Sequence, residues 1–169
     1  MNDEVTIVPA ERGDLPAVAA LAPEIWQHAY GAILSQEQIA YMLKLMYAPE
    51  VLLAAFDGGV KFRLIKSGEE TVGFFSFFEY RSDPPVLKLD KLYLRPAFHG
   101  RGIGSLALRN LTECASDAGY GAIRLNVNKK NLRAIAAYTR NGFKKKESVK
   151  NDIGNGFFMD DYVMEKKLM

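Results

Sequence analysis

Leu92-Tyr93-Leu94-Arg95-Pro96-Ala97-Phe98-His99-Gly100-Arg101-Gly102-Ile103-Gly104 is the stretch on which the fold turns. It ends a strand that reads from Val86 to Leu94 and that Arg95-Pro96 stops. Gly100, Gly102 and Gly104 alternate through the turn and lead into a helix predicted over Ser105–Ala118. Ala107, Leu108, Leu111, Ala115 and Ala118 share one face of that helix, and Gly119 suits the position that closes it. Glycine permits torsions and close approaches that side chains forbid. The first turn of a helix carries N–H groups outside the ladder and a partial positive charge. Together these make a seat for phosphate, with Arg101 and Arg95 placed to add charge-assisted contacts. A tight loop without a ligand is the plain alternative. Two nucleotide motifs are excluded: no Lys follows Gly104, as a Walker A loop requires, and Ser105 stands where a dinucleotide fingerprint needs Gly or Ala.

Upstream, Val5–Val8 reads as a strand. Asp14 is the expected cap of a helix carrying Leu15, Val18, Ala19, Ala22, Ile25, Trp26 and Ala29 at helical spacing. Ser35 with Gln38 fits a capping box, followed by a second helix with Ile39, Met42, Leu43 and Met46 on one face. Residues 50–56 read as a short third helix. From Lys61 to Lys66 the pattern alternates, with Phe62, Leu64 and Lys66 set against Lys61, Arg63 and Ile65. A turn at Ser67–Glu70 leads to an aromatic-rich strand over Thr71–Glu79. Downstream, Ile123, Leu125 and Val127 alternate as a strand. Asn131 caps a helix that reaches Arg140 and that Gly142 closes. Phe143–Val149 and Phe157–Leu168 pair as two last strands, with Asn155-Gly156 in the turn. This order predicts an α/β (α+β) fold, a sheet with helices on its faces. No repeat or linker divides the chain, so residues 1–169 read as a single domain.

Composition narrows the function. Of the 169 residues, 49% are hydrophobic and 25% charged, as in an ordinary globular protein. One Cys excludes an intrachain disulfide, and one Cys with two His excludes a Cys/His zinc site, so no metal is expected. No apolar run reaches the roughly 18 residues that span a bilayer. Met1-Asn2-Asp3-Glu4 lacks the basic-then-apolar layout of a signal peptide, so a cytoplasmic protein with no membrane partner is expected. Residues 1–90 carry 7 Lys/Arg against 13 Asp/Glu, and residues 91–169 carry 15 against 7. One half suits an anion and the other a cation, with a solvated surface as the bland alternative. Neither a stacking platform nor a helix-turn-helix supports a nucleic-acid partner. Cys114, mid-helix, reads as a buried structural thiol, and Lys144-Lys145-Lys146 as a solvated guard on an edge strand.

The quoted turn resembles the phosphate-binding signature of the GCN5-related N-acetyltransferase (GNAT) family, Gln/Arg-x-x-Gly-x-Gly/Ala after a Leu-Tyr-Val-x-Pro strand. His99 is the one departure, standing where Gln or Arg is usual. A second family signature follows in Asn131-Leu132-Arg133-Ala134-Ile135-Ala136-Ala137-Tyr138-Thr139-Arg140-Asn141-Gly142-Phe143. The match covers about residues 86–143. The tail from Asp160 to Lys166 resembles that of bacterial diamine and polyamine acetyltransferases in the family.

The resemblance implies a mixed, mostly antiparallel sheet with a splayed strand pair and helices on both faces. It implies acetyl-CoA as donor, without a metal, and a small-molecule primary amine as acceptor, and it admits a homodimer. The pyrophosphate is expected on the N–H groups of Gly100, Arg101, Gly102, Ile103, Gly104 and Ser105, with His99 also among the cofactor-binding residues. The pantetheine arm is expected along Leu92, Tyr93 and Leu94, with further contacts from Asn131 and Arg133. The Leu94 N–H is the expected donor to the oxyanion. Tyr138 matches the acid that protonates the departing thiolate; on spacing alone it is a core aromatic. An alkyl amine has a pKa near 10.4 and must lose a proton before it attacks. Asp90 is the first candidate to receive that proton and Glu79 the second, though both also read as solvated strand residues. Asp160 and Asp161, with Tyr162, border the acceptor side in the family and suit a cationic acceptor; an exposed turn is the alternative. Trp26, His28 and Tyr30 end the first helix beside a loop on that side, with Trp26 alone reading as core. A peptide or protein acetyltransferase, or a silent acyl-CoA-binding regulator, are the competing functions.

Overall fold

The computed structural model describes residues 4–168. Met1-Asn2-Asp3, read above as part of an acidic start, and Met169 lie outside the described residues. Seven strands form one sheet in the order β1-β2-β3-β4-β5-β7-β6. They are β1 (Val5–Pro9), β2 (Lys61–Ser67), β3 (Glu70–Tyr80), β4 (Val86–Leu94), β5 (Ala122–Asn128), β6 (Lys144–Gly154) and β7 (Phe157–Lys167). The helices are α1 (Leu15–Tyr30), α2 (Gln36–Tyr47), α3 (Pro49–Asp57), α4 (Ile103–Asp117) and α5 (Leu132–Arg140). β4 and β5 run parallel, which requires a crossover, and α4 supplies it. The pairs β1–β2, β2–β3, β5–β7 and β6–β7 are antiparallel. The β4–β5 register runs from Val86–Ala122 to Leu89–Leu125, while β4 continues to Leu94 and β5 to Asn128. Among the described residues, no single helix is long and apolar enough to cross a membrane.

The chain divides into two compact units. The first holds Met1–Phe78 and Lys91–Ala107. Its core joins α1, α2 and α3 to the apolar faces of β2 and β3, with Leu15, Val18, Trp26, Leu52, Phe74 and Phe75 among its buried residues. Trp26 is 1% exposed and stacks at an angle on Tyr30 and Tyr93, while its indole N–H donates to the Tyr47 hydroxyl at 3.2 Å. The predicted core role of Trp26 therefore holds. Ser35 caps α2 as expected, its Oγ accepting from the Gln38 N–H at 3.1 Å.

Two local expectations in this unit fail for physical reasons. Asp14 does not cap α1. A 3-10 turn, Arg12–Asp14, precedes the helix, and the Asp14 carboxylate accepts from the Glu11 N–H at 2.7 Å instead. Ile65, assigned with Lys61 and Arg63, is fully buried, as is its neighbour Leu64 on the other face, because β2 and β3 are covered on both faces here, where Val72, Phe74 and Phe75 of β3 are buried too. A strand buried on both faces does not show the apolar/polar alternation that the reading rests on.

The second unit holds Glu79–Asp90 and Leu108–Met169. Leu87, Leu89, Leu111, Ile123, Leu125, Phe143 and Met164 form its core. Asn131 caps α5, its Oδ1 accepting from the Ala134 N–H at 3.3 Å. Gly142, at φ 91°, ends the helix, and the Phe143 N–H reaches back to the Tyr138 carbonyl at 3.1 Å. Asn155 and Gly156 both take positive φ, 54° and 78°, and turn β6 into β7. β6 starts at Lys144 and extends five residues past the predicted end at Val149, to Gly154. Ala118 lies beyond the end of α4 and is exposed rather than on its buried face, and Cys114 is half-buried rather than buried.

Candidate active site

In the first unit the quoted turn takes up Leu92, Tyr93, Leu94, His99, Gly100, Arg101, Gly102, Ile103, Gly104 and Ser105. The end of β4 is fixed by the Arg95 N–H, which donates to the Val72 carbonyl at 2.8 Å. The Tyr93 hydroxyl shares a hydrogen bond with the Tyr30 hydroxyl at 3.1 Å. Pro96–Phe98 makes a single 3-10 turn, after which His99 Nε2 sits 3.1 Å from the Leu94 carbonyl. His99 thus ties the turn back to its own strand. Its ring lies 5.5 Å from that of His28, which ends α1 on the exposed side.

Gly100 and Gly102 stand at φ 77° and 76°, where an L side chain is strained. Gly104 is different. Its φ is not positive, it lies inside α4, and a Cβ built on it meets nothing within 4 Å. Nothing in the chain's own packing requires glycine there, and glycine costs helix stability. The open space leaves room for a bound group to approach the backbone closely there. The helix opens at Ile103, earlier than predicted, and its first bond runs from the Leu106 N–H to the Gly102 carbonyl at 3.0 Å. The N–H groups of Ile103 and Gly104 precede that ladder and sit at the positive end of the helix. The residues present therefore fit a phosphate group.

Of the two arginines, Arg101 is exposed with its guanidinium 5.1 Å from the Phe98 ring centre. Arg95 is committed elsewhere. It pairs with Glu24 of α1 at 3.3 Å and with Glu70 of β3 at 2.5 Å, which corrects its expected phosphate role.

Gly73 went unnoticed in the sequence. A Cβ there would lie 2.5 Å from the Tyr93 carbonyl oxygen and 2.7 Å from a Leu94 methyl. It lets β3 approach β4 at the residues that bear the site. The signal was present: a glycine inside an aromatic strand marks close backbone approach.

The second unit carries Asp90, Asn131, Arg133 and Tyr138. Asp90 is exposed on β4, and Arg133 is exposed on α5. Tyr138 is half-buried, its ring edge-on to Phe143 at 5.7 Å. Burial raises the Tyr120 phenol, and the Glu79 carboxylate, which accepts its hydrogen bond, raises it further. Glu79 is thus engaged by Tyr120.

Lys129 bonds to the Asp160 carboxylate at 2.8 Å, and that bond is the main reason Asp160 is held below the usual carboxylate range. Asp161 differs from its neighbour: it is 6% exposed, and burial, followed by the charge of Asp160, pushes its pKa up to about 6. Tyr162 lies under two cations, Lys145 at 4.2 Å and Lys129 at 5.5 Å. Lys146 pairs with Glu165 at 3.2 Å, so two of the three edge lysines hold structural partners.

A glycine turn opening a helix after a strand, in a mixed seven-stranded sheet, is the build of an acyl-CoA-dependent acetyltransferase. The sequence profile of the acetyltransferase (GNAT) family matches residues 20–143, and the chain belongs to that family. It is 31% identical over 168 residues to an uncharacterised N-acetyltransferase of Mycobacterium tuberculosis, covering 99% of this chain and 97% of the relative. It is 27% identical over 159 residues to the spermidine N(1)-acetyltransferase of Thermoplasma acidophilum, covering 91% of each. The crystal structure of PaiA N-acetyltransferase from Thermoplasma acidophilum, in complex with coenzyme A, superposes with a TM-score of 0.82. That match is 25% identical and covers 97% of this chain and 99% of the other. The chain is an N-acetyltransferase, and its fold and the coenzyme A-bound relative support acetyl-CoA as co-substrate.

Proposed function

We propose that this enzyme acetylates a primary amine of a small cationic acceptor, of the diamine or polyamine class, within one catalytic domain. The observation that carries the donor side is Gly104, a helical glycine with no protein neighbour where a Cβ would stand. The acceptor class is supported by the spermidine acetyltransferase among the relatives.

Acetyl-CoA brings an activated acetyl carbon and a thiolate leaving group. The chain's residues do the rest. The backbone of residues 99–105 holds the pyrophosphate, with Arg101 adding charge. Leu92, Tyr93 and Leu94 align the pantetheine arm, and the Leu94 N–H stabilises negative charge on the acetyl oxygen. Asn131 caps α5 with its Oδ1 and contacts the arm, with Arg133 beside it. Tyr138 gives its phenolic proton to the departing sulfur. A phenol with a pKa near 10 stays protonated at neutral pH and is suited to that task. Asp90, exposed on β4, passes the amine's proton to water. Direct attack by the amine needs no covalent enzyme intermediate, and Cys114 has no part in it.

The test is thiol release from acetyl-CoA against putrescine, spermidine, amino acids and short peptides. Rapid release with the diamine or polyamine is the expected result. Release with peptides alone would make this a peptide or protein acetyltransferase. Binding of acetyl-CoA without release across the panel would favour a silent acyl-CoA-binding regulator.

A further inference from the structure

The second unit has a polar sheet face whose members lie far apart in sequence. Residues directly opposite in a ladder share a face. Asp161 of β7 stands opposite Asn128 of β5, Val163 opposite Asn126, and Glu165 opposite Arg124. On the other side of β7, Asp161 stands opposite Val149 of β6. Lys88 of β4 stands opposite Arg124 and reaches Asn126 Oδ1 with its Nζ. The face is therefore lined by Lys88, Arg124, Asn126, Asn128, Asp161 and Glu165.

Most of these groups satisfy one another. Arg124 pairs with Glu165 at 2.5 Å, and Lys146 joins them. Asn128 Oδ1 accepts from the Lys130 N–H at 2.9 Å. Asp161 is the exception: its Oδ1 is buried and has no hydrogen-bond partner among the described residues. A buried acceptor without a donor is costly and rare in folded proteins. What is missing is a donor.

We propose that Asp161 is the seat of the acceptor's amine, its Oδ1 accepting an N–H from the ammonium group and taking the first of the protons that the amine must lose. The inference rests on the amine-acetylation reading and adds a first proton acceptor on β7, ahead of Asp90 on the path to water. An ammonium suits this lone acceptor better than a metal ion does. A hard dication wants six or more oxygen ligands, whereas here one carboxylate faces Lys88 and, from the segment after β5, Lys129.

Those two lysines have a further effect. They oppose a second lasting cation, so the arriving ammonium is pressed to give up its proton. The amine sheds two protons on becoming an amide. The first passes from nitrogen to Asp161 Oδ1 and from there, by way of exposed Asp90, to solvent, and the second balances the thiolate that leaves. The groups that set the acidity of Asp161 are Asp160 on its own strand, Lys88 on β4 and Lys129 after β5. Arg124 is tied to Glu165, and Lys150 of β6 acts on Asp160.

The test combines binding with turnover. The Asp161 side-chain carboxyl is followed by carbon-13 NMR while putrescine is added, in wild type and in Asp161→Asn, with thiol release measured alongside. We expect a saturable shift of that carboxyl in wild type, and the loss of putrescine binding in Asp161→Asn. We also expect kcat/KM for the amine to fall about 100-fold or more, with the KM for acetyl-CoA within about twofold. The acid limb of kcat/KM, expected near pH 6 in wild type, should vanish in the variant. A wild type that turns over putrescine while the carboxyl signal stays still overturns the inference and leaves the acetylation reading intact. A carboxyl shift without turnover of any amine supports the amine seat and overturns acetylation. Neither shift nor turnover overturns both.

Discussion

The glycine turn of the first unit and the polar face of the second are built on opposite plans. The turn is a continuous run in which backbone torsion and space decide each residue. Gly100 and Gly102 answer to positive φ, and Gly104 borders open space. The polar face gathers side chains from β4, β5, β6 and β7, and no local rule of sequence announces it. A backbone site should tolerate change in its side chains, such as His99 in place of Gln or Arg, but not the gain of a Cβ. A side-chain site should respond to the loss of a single atom.

The sharpest break in that comparison is Gly104→Val. The substitution meets no protein atom within 4 Å and no positive φ, so the fold should survive, apart from about 1 kcal/mol of helix propensity in either direction. Acetyl-CoA affinity should fall about 100-fold or more, readable by calorimetric titration. Tight binding by a folded variant would show that the space at Gly104 is not the phosphate seat.

Next in size is Tyr138→Phe, which removes one oxygen. Turnover should drop about 100-fold with acetyl-CoA affinity nearly unchanged. If affinity collapsed while turnover of the bound enzyme stayed the same, Tyr138 would be a packing partner of Phe143.

Gly73→Ala separates fold from chemistry in the first unit. The new Cβ would sit 2.5 Å from the Tyr93 carbonyl oxygen, so β3 and β4 must shift. A loss of about 1–3 kcal/mol in chemical denaturation is expected. No loss would mean that the strand yields without strain.

The gentlest effect concerns pH. The Asp161 pKa rises from 3.8 to about 6 on folding, so between those values the native state holds more proton than the unfolded chain. Stability falls as pH rises through that window, and the deficit persists above it. The shift sets an upper bound of about 3 kcal/mol. Asp161→Asn should therefore be more stable than wild type at pH 7.5, by up to that amount, with the gap closing towards pH 4. Equal stability of the two proteins across that range would contradict the burial-driven shift.

The same contrast explains how much was legible in the sequence. The order of strands and helices was readable because the apolar spacing and the glycine and asparagine punctuation are local. Ser35, Asn131 and Gly142 act where their types predict. Three local readings failed where a neighbour outbid the rule. Asp14 found the Glu11 N–H, Ile65 lies where both faces of the sheet are covered, and Arg95 was claimed by Glu24 and Glu70. The glycine turn was legible for the same local reason. On β7, Asp160 and Asp161 look alike as letters. Register alone makes one an exposed partner of Lys129 and the other a buried carboxylate.

The most direct measurement is mass spectrometry of spermidine incubated with the enzyme and acetyl-CoA, together with the free thiol released. The account predicts an acetyl group on a primary nitrogen of the polyamine, formed one-for-one with thiol. An unmodified polyamine, with acetyl-CoA consumed only when a peptide is supplied, would contradict it.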